Sequence, residues 1–243
     1  MTPVSPGSAG LTVLSRRWVL FVAGWFLSFV AGSVNGVTTV ALVFERTTHI
    51  SGRVNDLLRD LAFDLPEGLL VACIIYSFVA GAAAAGWLVP RVGPARTLLV
   101  TAVPLALGAA LVWAGGASGA KEVYTGMRYA VAAVLSFAAG LQNSTTSQVK
   151  LGRTTHVTGD LTDMGIAIAA ADWARAAFLF TKHAGFAAGG VAGFVGIRYV
   201  TPATVLLACV IAITGTALAL LILDRRLGSK PGRTDALQVA GSC

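Results

Sequence analysis

Leu27-Ser28-Phe29-Val30-Ala31-Gly32-Ser33-Val34-Asn35 returns 108 residues later as Leu135-Ser136-Phe137-Ala138-Ala139-Gly140-Leu141-Gln142-Asn143, with six of the nine positions identical. A second block follows each copy. Arg46-Thr47-Thr48-His49-Ile50-Ser51-Gly52 matches Arg153-Thr154-Thr155-His156-Val157-Thr158-Gly159 at an offset of 107, and Asp56 then falls on Asp163. Gly81 with Gly189, Pro94 with Pro202 and Leu98-Leu99 with Leu206-Leu207 repeat at 108. Ordered blocks at one spacing read as an internal duplication.

The repeated segments sit in apolar surroundings. Hydrophobic residues make up 56% of the 243-residue chain and charged residues 12%, about half the charged share of a soluble domain. Mean hydropathy is +0.76. Six stretches approach the length a membrane-crossing helix needs: Trp18–Val43, Leu69–Val89, Thr97–Gly115, Tyr129–Val149, Ala184–Val200 and Ala203–Leu223. Two shorter segments, Arg53–Leu65 and Asp160–Lys182, carry too many charges to span and read as interfacial or partly re-entrant helices.

Basic residues set the orientation. With the N-terminus inside, twelve lysines and arginines fall on the inner side, among them Arg16, Arg17, Arg91, Arg96, Lys150, Arg153, Arg175 and Lys182, against six outside. Both termini are expected in the cytoplasm of a bacterial cell, with the chain in the inner membrane. The net charge of +7 does not point to nucleic acid, because the basic residues cluster beside apolar runs rather than forming a stripe interleaved with aromatics. Cys73, Cys209 and Cys243 form no CxxC pair.

Each copy contains three spans, and an odd number forces the second copy to enter from the opposite side. The expected fold is all-α: a polytopic membrane protein of six transmembrane helices, arranged as two inverted three-helix repeats with short interfacial helices. Residues 18–115 form the first repeat and 129–223 the second, flanked by a disordered tail over 1–17 and a basic tail over 224–243. Inverted repeats of this kind are common in secondary transporters.

The paired R-T-T-H-[IV]-[ST]-G blocks and the [LF]-x-x-G-x-x-N segments resemble the YoaK-like family of bacterial inner-membrane proteins, a domain-of-unknown-function family. The resemblance covers residues 18–225, and its more specific part is Arg153 to Asp163. It implies a membrane protein of several helices and brings no activity, substrate or cofactor.

Candidate site residues follow from the repeats. Asn35, Thr38 and Thr39 stand on one helical face, and Asn143, Thr146 and Ser147 repeat that face. Such a stripe lines a solute or ion path, or else bonds to neighbouring helices and back to its own backbone. Arg46, Thr47, Thr48 and His49, with Arg153, Thr154, Thr155 and His156, supply cations, hydroxyls and groups that titrate near neutral pH. They make a gate or solute contact, or else a turn at the membrane boundary. Ser51 and Thr158 are expected to cap the following short helices, with Gly52 and Gly159 turning the backbone. Asp56 and Asp163 complete the candidates. Small residues at Gly81, Ala85, Gly185, Gly189 and Gly193 read as close helix packing.

If the helices ran straight, inversion would place the two R-T-T-H blocks at opposite membrane faces. They share a centre only if the chain breaks and turns inward. Trp18 to Phe44 would span about 40 Å as one helix, longer than a hydrocarbon core of about 30 Å, and Asn35-Gly36 is the expected break. No hydrolase, phosphate-loop or metal-ligand motif is present, so an enzyme, a metal and a cofactor are not expected. The expected function is a small-solute transporter or channel, with a membrane scaffold or accessory subunit as the alternative. Expected partners are the lipid bilayer, a small solute or ion, and a second copy of the chain in a homo-oligomer.

Overall fold

The computed structural model describes residues 17–42, 47–48, 53–115, 125–155 and 157–228. Its elements are α1 (Arg17–Val37) running into a π-helical turn (Thr38–Leu42), α2 (Arg53–Phe63), α3 (Leu65–Val92), α4 (Pro94–Ala114), α5 (Thr125–Ser147), α6 (Val157–Ala169), α7 (Trp173–Gly196) and α8 (Pro202–Gly228). No strand occurs among the described residues. Among the described residues, four helices are long and apolar enough to cross a membrane: α1, α3, α4 and α8. They mark the chain as a helical membrane protein. Helices α5 and α7 would reach about 35 Å but carry more polar residues.

Local chemistry accounts for the helix ends. Asp64 caps α3 by accepting from the Glu67 amide at 3.4 Å, and Asp172 caps α7 by accepting from the Arg175 amide at 3.1 Å. These two caps stand 108 residues apart. At Gly93 the backbone takes φ +84°, a conformation that favours glycine, and the chain reverses into α4 at Pro94.

Backbone-to-backbone approach sets the packing. A Cβ added at Gly32 would lie 2.1 Å from the Phe186 carbonyl oxygen, and one at Gly189 would lie 2.0 Å from that of Phe29. These contacts lock α1 against α7, running parallel. In the other pair, a Cβ added at Gly81 would lie 2.0 Å from the Phe137 carbonyl oxygen, and one at Gly140 would lie 2.0 Å from that of Phe78, so α3 is locked against α5, also parallel. Adding 108 to one set of positions gives the other, with the halves exchanged. The first helix of each half therefore packs on a helix of the other half. Small residues allow this, because helices in lipid associate through close van der Waals contact rather than the hydrophobic effect.

Helix α4 joins the assembly from its own side. A Cβ at Gly108 would meet Leu135, and one at Gly115 would meet Met127, so α4 runs antiparallel to α5. Helix α8 lies on α1 and α4, and Ile213, Ala217 and Leu220 join Leu98, Leu105 and Val34 in a common buried core. Outside, Trp18, Trp87, Trp113, Trp173 and Tyr199 are exposed at or near helix ends, where amphipathic rings favour a membrane–water boundary. The exposed Val54, Leu58 and Leu61 share one face of α2, as an interfacial helix requires.

Several sequence expectations need correction. The expected fifth span, Ala184–Val200, is part of a helix that begins at Trp173. The segment Asp160–Lys182 is not one interfacial helix. It breaks at Ala170–Asp172, where Ala171 has φ +57°. Helix α6 starts at Val157, so Thr158 lies in its first turn and does not cap it. Gly159 is helical, and the glycine that turns the backbone is Gly152, with φ +67°. The expected break at Asn35-Gly36 falls slightly later, where α1 passes into the π turn at Thr38. Ser51 and Gly52 lie outside the described residues.

Candidate functional site

Both Thr-Thr turns fold inward. Thr47, Thr48, Thr154 and Thr155 are all buried, although each follows a helix long enough to carry it out of the core. The asparagines hold them there. Thr48 Oγ1 donates to Asn35 Oδ1 at 3.1 Å. In the second half Asn143 Oδ1 accepts from the backbone amides of Thr154 and Thr155, at 3.0 and 3.3 Å. Thr47 Oγ1 lies 3.1 Å from Thr38 Oγ1, tying the first turn to the π segment. Such pairing is stabilising, since a buried polar group left without a partner costs about 1–3 kcal/mol.

The two turns meet. Thr48 and Thr155 line one buried cavity of about 10 Å³, together with Ala31, Val34, Ala139 and Gln142. That volume is at the lower limit for a single water. Ala31 matches Ala139, and Val34 matches Gln142, at the repeat offset. The straight-helix picture, with the blocks at opposite faces, is therefore replaced by a shared centre. It arises because the chain turns back after each asparagine.

Gln142 breaks the likeness between the halves. Its Nε2 donates to the Leu27 carbonyl oxygen at 2.8 Å and to Thr154 Oγ1 at 3.2 Å, so α5 is tied to α1 across the centre. Valine occupies the matched position, 34.

The remaining candidates sort clearly. Thr38 and Thr39 bond back to the carbonyls of Val34 and Asn35, at 2.9 and 2.7 Å. Thr146 and Ser147 both bond back to the Asn143 carbonyl. These hydroxyls are satisfied by their own helices. Arg153 is exposed, unlike the two threonines that follow it. Asp56 pairs with Arg53 at 3.2 Å and Asp163 with Arg175 at 3.2 Å, both at the short helices and away from the cavity. Arg46, His49 and His156 lie outside the described residues.

Sequence reasoning passed over three features. Ser28 and Ser136, at matched positions, are buried, and their hydroxyls have no hydrogen-bond partner among the described residues. They stand inside the opening repeat, so they were legible there. Gln142 was quoted in that repeat but not weighed. Lys182 was counted only among the inner-side charges, yet it is buried in α7 and pairs with Asp160 at 2.5 Å. A larger hollow of about 390 Å³ lies between α1 and α8, lined by apolar groups such as Phe26, Ile211 and Leu223. It shares no lining residue with the polar cavity.

Residues 23–219 match the model of a family described as a protein of unknown function (DUF1275). No curated protein and no solved structure matches the chain.

Proposed function

The chain belongs to the DUF1275 family, and we propose that it is a small-solute transporter of the bacterial inner membrane in a closed conformation. The observation that carries this reading is the meeting of Thr48 and Thr155 in one buried cavity. Two polar turns, each held by an asparagine beside a helix end, converge where two halves of the chain interlock. Irregular backbone at membrane depth is tolerated where it is buried in protein or lines a cavity. Transporters with repeated halves place their sites at such junctions.

The reading includes six spans with inverted halves. Helices α1 and α7 run parallel, as do α3 and α5, while α4 opposes α5. Tight connections reverse the chain between α3 and α4 and between α7 and α8. With α1 outward-going and α3 returning after the short interfacial α2, these relations make α3, α5 and α8 inward-going and α4 and α7 outward-going. Each helix of the second half then opposes its counterpart in the first, and both termini lie in the cytoplasm. The exchange of glycine contacts at the 108 offset supports the same arrangement.

A second reading has its own observation. A cavity of about 10 Å³ offers no path, as expected of a scaffold whose turns only fix helices. Transport requires a second conformation in which the turns separate. Flux into proteoliposomes, screened over small anions, amino acids and nucleobases, tests the choice. We expect flux of at least one solute, abolished by Thr155→Leu and by Thr48→Leu, which fill the centre. Unaltered flux in both variants, or none for any solute, favours the scaffold.

A further inference from the structure

Lys182 is a charge that packing alone does not require. It stands on α7 with its side chain 3% exposed, beside Asp160 of α6, whose side chain is 16% exposed. The matched position in the first half is Ile74, fully buried on α3. The residues around Lys182 also differ from the first half. Its Cγ would lie 3.4 Å from a Cβ at Gly24 of α1, where the matched residue is Ala132. Its Nζ would lie 3.6 Å from a Cβ at Gly152, the turn glycine that precedes Arg153-Thr154-Thr155. Phe178 covers another side, with Nζ 5.7 Å from the ring centroid.

The two partners differ in their access to water. If α6 moves away, Asp160, already at the edge, can rehydrate. Lys182, set among Gly24, Gly152 and Phe178, loses its carboxylate partner, and an ammonium left unpaired in a largely buried place is costly. An anion in the vacated position restores that pairing. Gly152, at φ +67°, places that position next to the second threonine turn.

We propose that Lys182 is the anchor of an oxyanion site, and that Asp160 occupies it as a tethered stand-in until a small carboxylate or phosphate replaces it. Replacement frees α6 and loosens the Thr154–Thr155 turn, which coordinates anion binding with opening of the centre. This deepens the transporter reading by naming its substrate class. Binding is measurable without flux, so the two ideas can fail separately.

The test uses the full chain in detergent, at constant ionic strength held with chloride. Asp160→Asn empties the site of its stand-in. Its thermal unfolding midpoint should rise saturably with succinate or with inorganic phosphate, at about tenfold lower concentration than wild type needs. Comparing the two ligands tells a carboxylate site from a phosphate site. The double variant Lys182→Ile with Asp160→Asn, apolar as in the first half, should respond to neither. An equal rise in the double variant is a general salt effect and overturns the proposal, as does no response in Asp160→Asn. Wild-type protein gives a check that depends on no variant folding. Amide exchange over 157–169 should quicken when the effective anion is added, and unchanged exchange at saturating concentrations of both overturns the proposal.

Discussion

The two halves keep the same packing and differ in their charges. A Cβ added at Gly32 or Gly140, or at Gly81 or Gly189, would meet a carbonyl oxygen at a nearly identical separation, and the helix caps at Asp64 and Asp172 repeat. Against that shared frame, the first half has Ile74, Val34 and a π turn where the second has Lys182, Gln142 and regular helix up to Ser147. The frame tolerates little change because backbone touches backbone. Side chains at the centre are free to differ, and those differences are where a direction-dependent function would be written.

The largest effect should fall equally on both halves. Gly32→Leu and Gly140→Leu each drive a side chain into a carbonyl about 2 Å away, at or beyond the top of the usual overpacking cost of about 1–3 kcal/mol. Both should lose the monodisperse peak in size-exclusion chromatography. Sensitivity in one half only would break the comparison.

A smaller and unequal effect is expected at the asparagines. Asn143→Ala strands two buried backbone amides, whereas Asn35→Ala removes the acceptor of one hydroxyl. We expect losses of about 2–4 and about 1 kcal/mol respectively, read as the order of thermal unfolding midpoints. Equal midpoints would mean that the two turns are held alike. Gln142→Val, which installs the first-half residue, should lie between them. It leaves the Leu27 carbonyl and the Thr154 hydroxyl without their shared donor, at a cost of about 1–3 kcal/mol.

The smallest perturbation is topological. Alkaline phosphatase fused after Lys230 should be inactive and fused near Ser118 active, without affecting the fold. The reverse pattern would contradict the charge bias, and activity at both sites would contradict six spans.

Much of the fold was legible because the glycines and prolines that set it are in the repeated blocks. Four helices passed as spans on hydropathy, and the glycine stripes announced close packing. Helix α7 was misread because Arg175, Lys182 and His183 lower the hydropathy of its first half. The sequence does not reveal that Lys182 finds Asp160 and is covered by Phe178. The site was legible as residue types and illegible as a place. Asn35 and Asn143 were chosen for their helical face, but their role is to catch turns that come back toward them. That return depends on connections the linear pattern does not describe, so straight helices put Thr48 and Thr155 far apart.

The central claim is that these two turns share one site, and a cross-link tests it most directly. Thr48→Cys and Thr155→Cys would be combined in a chain with Cys73, Cys209 and Cys243 replaced and a protease site placed between residues 116 and 124. After treatment in membranes with iodine or a short thiol cross-linker, then cleavage, the two halves should run as one band on a denaturing gel and part only on reversal of the link. Halves that separate despite both cysteines being present and reactive in denaturant would place the turns apart and contradict the account.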